Sequence, residues 1–414
     1  MTSRHLSLPN TAVSSENPLT GTPEPDELPL RAAKGQHAPR DVLICISQRG
    51  GADGLNMVVP HGDRDYYAHR TTLAIPQPGA SGAAIDLDGF FGLHPALGAL
   101  KEIWDARQLA VIHACGSPDP THSHFDAMDY MERGTPGRKS VTTGWLGRHM
   151  VATEATDDSP FRAVGFGALL QASLRGGAAT ALASLGAFKL QARPLELPKV
   201  KAAHGQLYHG PGMLVGAGQQ TLAALSTMEK FRPATYRPND GAQYPDSPYG
   251  KALMQIAQLM KSDIGLEIAC ADIGDWDTHV NQGSVDGEMA ANLKEFGDGL
   301  RALYTDLSAS LGRVTIVTMS EFGRRAAENG GGGTDHGHGN VMFVMGGNVI
   351  GGNVYGEWPG LHPEQLYGPG DLQVTTDFRD VLGEIVAKRL RNPALGDVFP
   401  SYARFNFAGI VKYS

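Results

Sequence analysis

Apolar, β-branched runs recur along this chain, and each stops at a loop rich in acidic, imidazole or hydroxyl side chains. The run Val314-Thr-Ile-Val-Thr-Met-Ser320 leads directly into Glu321. A glycine run, Gly330 to Gly333, follows, and then Asp335, His336 and His338. A run of this kind reads as a strand buried on both faces, as in a parallel sheet. Open α/β sheets present ligand groups at the carboxyl ends of their strands. Asp and His together suit a divalent metal. The stretch therefore predicts part of a metal-dependent site.

Three further runs behave alike: Asp41 to Ser47, Leu109 to Ala114 and Ile264 to Ala269. Helical periodicity lies between them. Leu97, Leu100, Ile103 and Trp104 share a face in 96–108, and Met289, Leu293, Phe296, Leu300 and Leu303 share one in 283–307. A last amphipathic helix is expected over 381–390. Strands alternating with helices imply an α/β fold, a doubly wound and mostly parallel sheet with helices on both faces. Residues 1–40, rich in Pro, Ser, Thr and Glu, are expected as a flexible arm before an α/β domain over 41–414. The stretch 151–249 carries no chemical motif and is expected as a smaller insertion of helices and loops.

Composition narrows the partners. Formal net charge is −8 over 414 residues, with no basic block, which argues against nucleic acid. Glycine supplies 53 residues, nearly double the usual ~7%, and these sit between apolar runs, implying tight turns rather than disorder. Cys45, Cys115 and Cys270 form no disulfide framework or zinc-ribbon spacing and are expected as buried free thiols. No apolar stretch approaches the ~18 residues of a membrane span. Residues 1–40 lack a signal-peptide pattern, so a cytoplasmic location is expected. Oligomeric state is not legible.

The other loops supply the remaining candidates. Asp53 sits in the Gly-rich loop after the first strand, where a plain turn aspartate is the competing reading. After the second strand come His122, Ser123 and His124, where a loop turns into a helix; the two histidines beside Ser123 mark the three as candidate catalytic residues. A hydroxyl there either caps the helix or, favoured by free N–H groups and the helix dipole, attacks an anionic ester. The third loop carries Asp275, Asp277 and His279. Asp275 and His279 have helical spacing; Asp277 and His279 suit an extended loop. Mixed carboxylate and imidazole donors favour Zn or Mn over Mg or Ca, with one or two ions. Such ions beside a hydroxyl would stabilise charge on a phosphoryl or sulfuryl group.

Arg49-Gly-Gly-Ala-Asp-Gly-Leu-Asn56, Leu93-His-Pro-Ala-Leu97, Ser123-His-Phe-Asp-Ala127, Trp276-Asp-Thr-His279, Ser320-Glu-Phe-Gly-Arg324 and Asp335-His-Gly with Gly346-Gly347 together resemble domain-of-unknown-function family 1501, from about Asp41 onward. That family is similar to the alkaline phosphatase-like superfamily of phosphatases and sulfatases. The resemblance implies Asp53 as the first metal ligand and Ser123 as the nucleophile. It implies Asp277 and His279 as one metal pair, with Asp275 a rival, and Asp335 with His336 as another. Glu321 competes with Asp335 as the strand-end ligand. The expected activity is metal-dependent hydrolysis of phosphate or sulfate esters, on a small anionic substrate. A metalloenzyme of another class on the same fold, or a non-catalytic binding protein, are the alternatives.

Overall fold

The computed structural model describes residues 40–153, 159–190, 192–193, 195–208, 212–230, 235–239 and 241–414. The arm expected over 1–40 lies, apart from Arg40, outside the described residues. Among those described are twelve strands: β1 (Val42–Gln48), β2 (Val58–Val59), β3 (Ile85–Asp86), β4 (Gly92–Leu93), β5 (Leu109–Gly116), β6 (Ala163–Phe166), β7 (Thr180–Leu182), β8 (Ile268–Ile273), β9 (Val314–Ser320), β10 (Asn340–Met345), β11 (Asn353–Tyr355) and β12 (Thr376–Asp377).

Nine of them form the central sheet, in the order β11-β5-β10-β9-β1-β8-β6-β7, with β12 beside β5. Five neighbours, β7, β6, β8, β1 and β9, run parallel. β10 pairs antiparallel with both β9 and β5, so it alone is reversed in the middle of the sheet. The fold is mixed α/β with a mostly parallel sheet. β2, β3 and β4 form a separate antiparallel ribbon.

Alternation along β1 explains why the sheet needs cover on both sides. Val42, Ile44 and Ile46 enter one core cluster, while Leu43 and Cys45 enter another. The first face is covered by the helices Pro248–Lys261 and Glu288–Asp306, through Leu253, Ile256, Leu293, Phe296 and Leu300. The second is covered by the helices Phe378–Lys388 and Trp145–Ala152, through Val381, Leu382, Ile385, Trp145 and Leu146. All three cysteines are free and buried, as expected. No helix among the described residues is long and apolar enough to cross a membrane.

Three expectations change. The stretch 151–249 is not wholly outside the sheet, because β6 and β7 extend its edge beyond β8. Ala163-Val-Gly-Phe166 is too short a run to stand out from its Ala- and Gly-rich surroundings. The third run begins pairing at Ile268, not Ile264: Gly265 has a φ of +83° and breaks the extension. Residues 96–108 form a 3-10 helix, Pro95–Leu100, and then a short α-helix, Lys101–Asp105, with Gly98 weakening the first turn.

Because the parallel strands and β5 point the same way, their carboxyl ends share one edge. The reversed β10 begins there too. The loops after β1, β5, β8 and β9 therefore meet, and Gly50 is where the first and third touch. It has a φ of +124°, and an added Cβ would stand 2.7 Å from the Asp277 nitrogen. A Gly50→Ala chain should lose about 1–3 kcal/mol or more in denaturant unfolding, from backbone strain and the clash together; a loss below about 0.5 kcal/mol would mean that the loops give way at no cost.

Candidate metal centre

Three strand-end loops bring together three imidazoles and one carboxylate. His124 opens the helix His124–Arg133 after β5. Asp277 and His279 come from the loop after β8, and His336 from the β9–β10 connection. One donor atom each from His124, Asp277 and His336 lie within 4.8 Å of one another. His279 adjoins them: its Nε2 is 2.9 Å from His336 Nε2 and 3.1 Å from Asp277 Oδ1. His336 Nε2 is also 3.1 Å from Asp277 Oδ1, and His124 Nε2 is 3.4 Å from Asp277 Oδ2.

The opposite edge of each ring is held by an acceptor. His124 Nδ1 donates to Glu321 Oε1 at 2.8 Å. His336 Nδ1 donates to the backbone carbonyl of His122 at 2.9 Å. His279 Nδ1 faces Asp335 Oδ1 at 3.3 Å. A carbonyl or ionised carboxylate can only accept, so each Nδ1 carries the proton and each neutral ring turns an Nε2 lone pair inward. Two such lone pairs at 2.9 Å repel unless a cation or proton lies between them. His124 Nε2 is buried and has no hydrogen-bond partner. Donors sharing an ion at about 2.1 Å stand about 3.0–3.4 Å apart, and the three Nε2 atoms stand 3.1–3.4 Å from the Asp277 oxygens. The donor set fits a divalent ion of the zinc or manganese type.

Electrostatics agree with an ionised Asp277. Burial works against its charge, but Arg324 and His336 outweigh it and bring its pKa down to about 2. The Glu321 hydrogen bond, partly opposed by desolvation, raises His124 above the usual 6.5. Burial pulls His336 below its ordinary value. Glu321 is itself buried, yet His124 and nearby backbone N–H groups hold its pKa below the ordinary carboxylate value. Phe322 packs against the rings of His124 and His336, with centroids 4.8 and 4.7 Å away.

A family model matches residues 40–389. The chain belongs to the family described as protein of unknown function DUF1501. No curated protein matches it. Among solved structures it is similar to a 2-O GAG sulfatase, at 12% identity and a TM-score of 0.30, over 76% of this chain and 66% of that one. It is also similar to Ps i-CgsB, solved in complex with k-i-k-neocarrahexaose, at 11% identity and a TM-score of 0.34, over 89% of this chain and 75% of that one. Likeness at these TM-scores assigns no activity to the DUF1501 chain.

The structure sorts the sequence candidates of this DUF1501 member. Asp277, His279 and His336 meet, and His124, expected as a catalytic residue, joins them. Glu321 and Asp335 do not compete for one role: each orients a different imidazole. Asp53 lies elsewhere. Its carboxylate, fully buried, takes two bonds from Arg70, at 2.6 and 2.9 Å, and one from Gln282 at 2.7 Å. A buried carboxylate needs such a cation. Asp275 is exposed, with a φ of +65°, outside the group. His338 is buried and stacks on Tyr367, with centroids 4.9 Å apart; desolvation brings its pKa to about 4. His122 Nε2 lies 3.0 Å from Asp371, and Ser123 is the exposed N-cap of its helix. Arg70 and Asp371 carried no sequence signal; Gln282 follows His279 in the third loop but has no ligand chemistry.

The glycine run has a structural reason. Asn281 and Gln282 donate to the carbonyls of Gly331 and Gly332 at 3.1 and 2.9 Å, and Thr334 donates to Thr278 O at 3.2 Å. A Cβ on Gly333 would stand 2.4 Å from the backbone of His279. Bare backbone is what lets the two loops touch.

Two outcomes follow. Glu321→Gln should lower the pKa of His124, read by NMR titration of its ring; an unchanged value would show that Glu321 does not hold it. With a raised folded pKa, the pair's stabilisation is full below the ordinary histidine value and fades as pH rises through the folded one. Arg70→Met, which strands Asp53 in the interior, should cost about 3–5 kcal/mol in chemical unfolding.

Proposed function

We propose that this chain is a metal-dependent hydrolase of phosphate or sulfate esters, in the manner of the alkaline phosphatase-like enzymes its motifs resemble. The observation that supports this is the set of three rings, each tied at Nδ1, whose Nε2 atoms stand 3.1–3.4 Å from the Asp277 carboxylate oxygens. His124, His279, His336 and Asp277 would hold one divalent ion, zinc or manganese. When bound, the ion supplies Lewis-acid polarisation of the ester and stabilises negative charge on its oxygens.

The remaining groups prepare the site. Glu321, the His122 carbonyl and Asp335 fix tautomer and ring orientation, so the donors need no rearrangement. Arg324, buried and bonded to Asp277 Oδ1 at 2.7 Å, keeps that carboxylate ionised. Ser123 is the proposed nucleophile. It directly precedes His124, and its Oγ accepts only a 3.5 Å bond from the Asp126 N–H. The N-terminus of its helix favours an anionic group beside it.

Purified protein should carry zinc or manganese by elemental analysis, and a His336→Ala chain should lose it. With metal, wild type should turn over nitrophenyl phosphate or nitrophenyl sulfate. Ser123→Ala should lower kcat about 10³-fold or more, as loss of a nucleophile does. Metal-loaded protein inactive on both esters would remove hydrolysis. Full turnover in Ser123→Ala would remove Ser123 as nucleophile and leave water in its place.

A further inference from the structure

Two adjacent arginines border the centre, and they are used differently. Arg324 is buried, and its guanidinium donates to the carbonyls of Gly50, Gly51, Trp276 and Thr334 and to Asp277. Its side chain is fully buried among these acceptors, away from any ligand in solvent. Arg325 is the reverse. Its backbone is fixed: its N–H donates to Asp335 O at 3.0 Å, and its carbonyl accepts from Arg70 at 3.0 Å. Its side chain is 36% exposed, and its Nε is buried without a hydrogen-bond partner. The nearest carboxylate oxygens, on Asp371 and Asp335, are 3.8 and 3.9 Å away. Neither is within hydrogen-bond distance, and the Asp371 oxygen facing Arg325, Oδ1, is itself buried without a hydrogen-bond partner. Asp335 accepts from Asn329 at 3.0 Å and faces His279, and Asp371 is paired with His122.

Placement decides what Arg325 can do. Arg324 and His336 bridge as an antiparallel pair, and both reach Asp277. Side chains alternate along such a pair, so Arg325 and Asp335 take the other side. Asp335 lies between the Arg325 guanidinium and the His279 ring. An ester group held at the imidazoles is therefore not the group Arg325 meets. We propose that Arg325 recognises a second acidic group on the substrate, a carboxylate, sulfate or phosphate carried apart from the ester that reacts. A guanidinium with free donors suits such a group, because it can bind two oxygens at once. The substrate class narrows to esters bearing more than one negative group.

This rests on the hydrolase reading, so its test has an arm that needs no turnover. Metal-loaded protein is assayed with phenyl phosphate and with salicyl phosphate, the same ester carrying an ortho carboxylate. Arg325→Met should raise KM about tenfold for salicyl phosphate and leave it within about twofold for phenyl phosphate. Its kcat, metal content and melting temperature should stay near wild type, and Arg325→Lys should fall between. Equal effects on both esters, or none, overturn the proposal. If neither ester reacts, the hydrolase reading has failed, and calorimetric binding of pyrophosphate against inorganic phosphate still decides. Wild type should prefer pyrophosphate and Arg325→Met should lose that preference. No preference in wild type, or the same preference in both, overturns the role of Arg325.

Discussion

A carboxylate buried at the end of a strand has to be satisfied, and Glu321 is satisfied by three different parts of the chain. It accepts from Gly50 N at 2.9 Å, from Ser320 Oγ at 3.1 Å and from His124 at 2.8 Å. Those contacts join the loop after β1, the end of β9 and the helix start after β5. An unpaired buried charge costs several kcal/mol, so the loops are held to this arrangement by the penalty for leaving it. The orientation of His124 is a by-product of the same constraint. The centre is thus assembled by an acid that does not belong to the converging donors.

Asp53 does comparable work one layer deeper. It pairs with Arg70, which also donates to the Ala326 and Arg325 carbonyls. Through Gln282, whose Oε1 accepts from Thr278 and Thr334 at 3.0 and 2.7 Å, it reaches the two loops that carry His279 and His336. Each of these loops therefore rests on a buried polar network, and such networks are costly when partly satisfied.

The parallel strands and their loops were legible because burial on both faces leaves a continuous apolar run, and because strand direction fixes which edge the loops share. β6 and β7 were not, since four and three residues in an Ala- and Gly-rich context carry no periodicity. The donors Asp277, His279 and His336 were visible as residue types with ligand chemistry. His124 was seen as a catalytic partner of Ser123, because adjacency in sequence cannot tell which ring nitrogen is tied and which is free. The roles of Glu321, Asp335 and Asp53 were the hardest to read. An acidic side chain looks the same in sequence whether it meets an ion, an imidazole or an arginine; only Arg70, which lies 17 residues on from Asp53, distinguishes the last case.

Glycine runs are usually associated with looseness, and 330–333 shows the opposite. With no side chains in the way, two backbones lie against each other and exchange hydrogen bonds. The loop of His279 and the loop of Asp335 and His336 then behave mechanically as one plate. Local opening of either must break the shared bonds of both, so the two loops belong to a single cooperative unit. The spacing between two of the three imidazoles is consequently set by main-chain geometry rather than by side-chain rotamers, the stiffer of the two materials available to a protein.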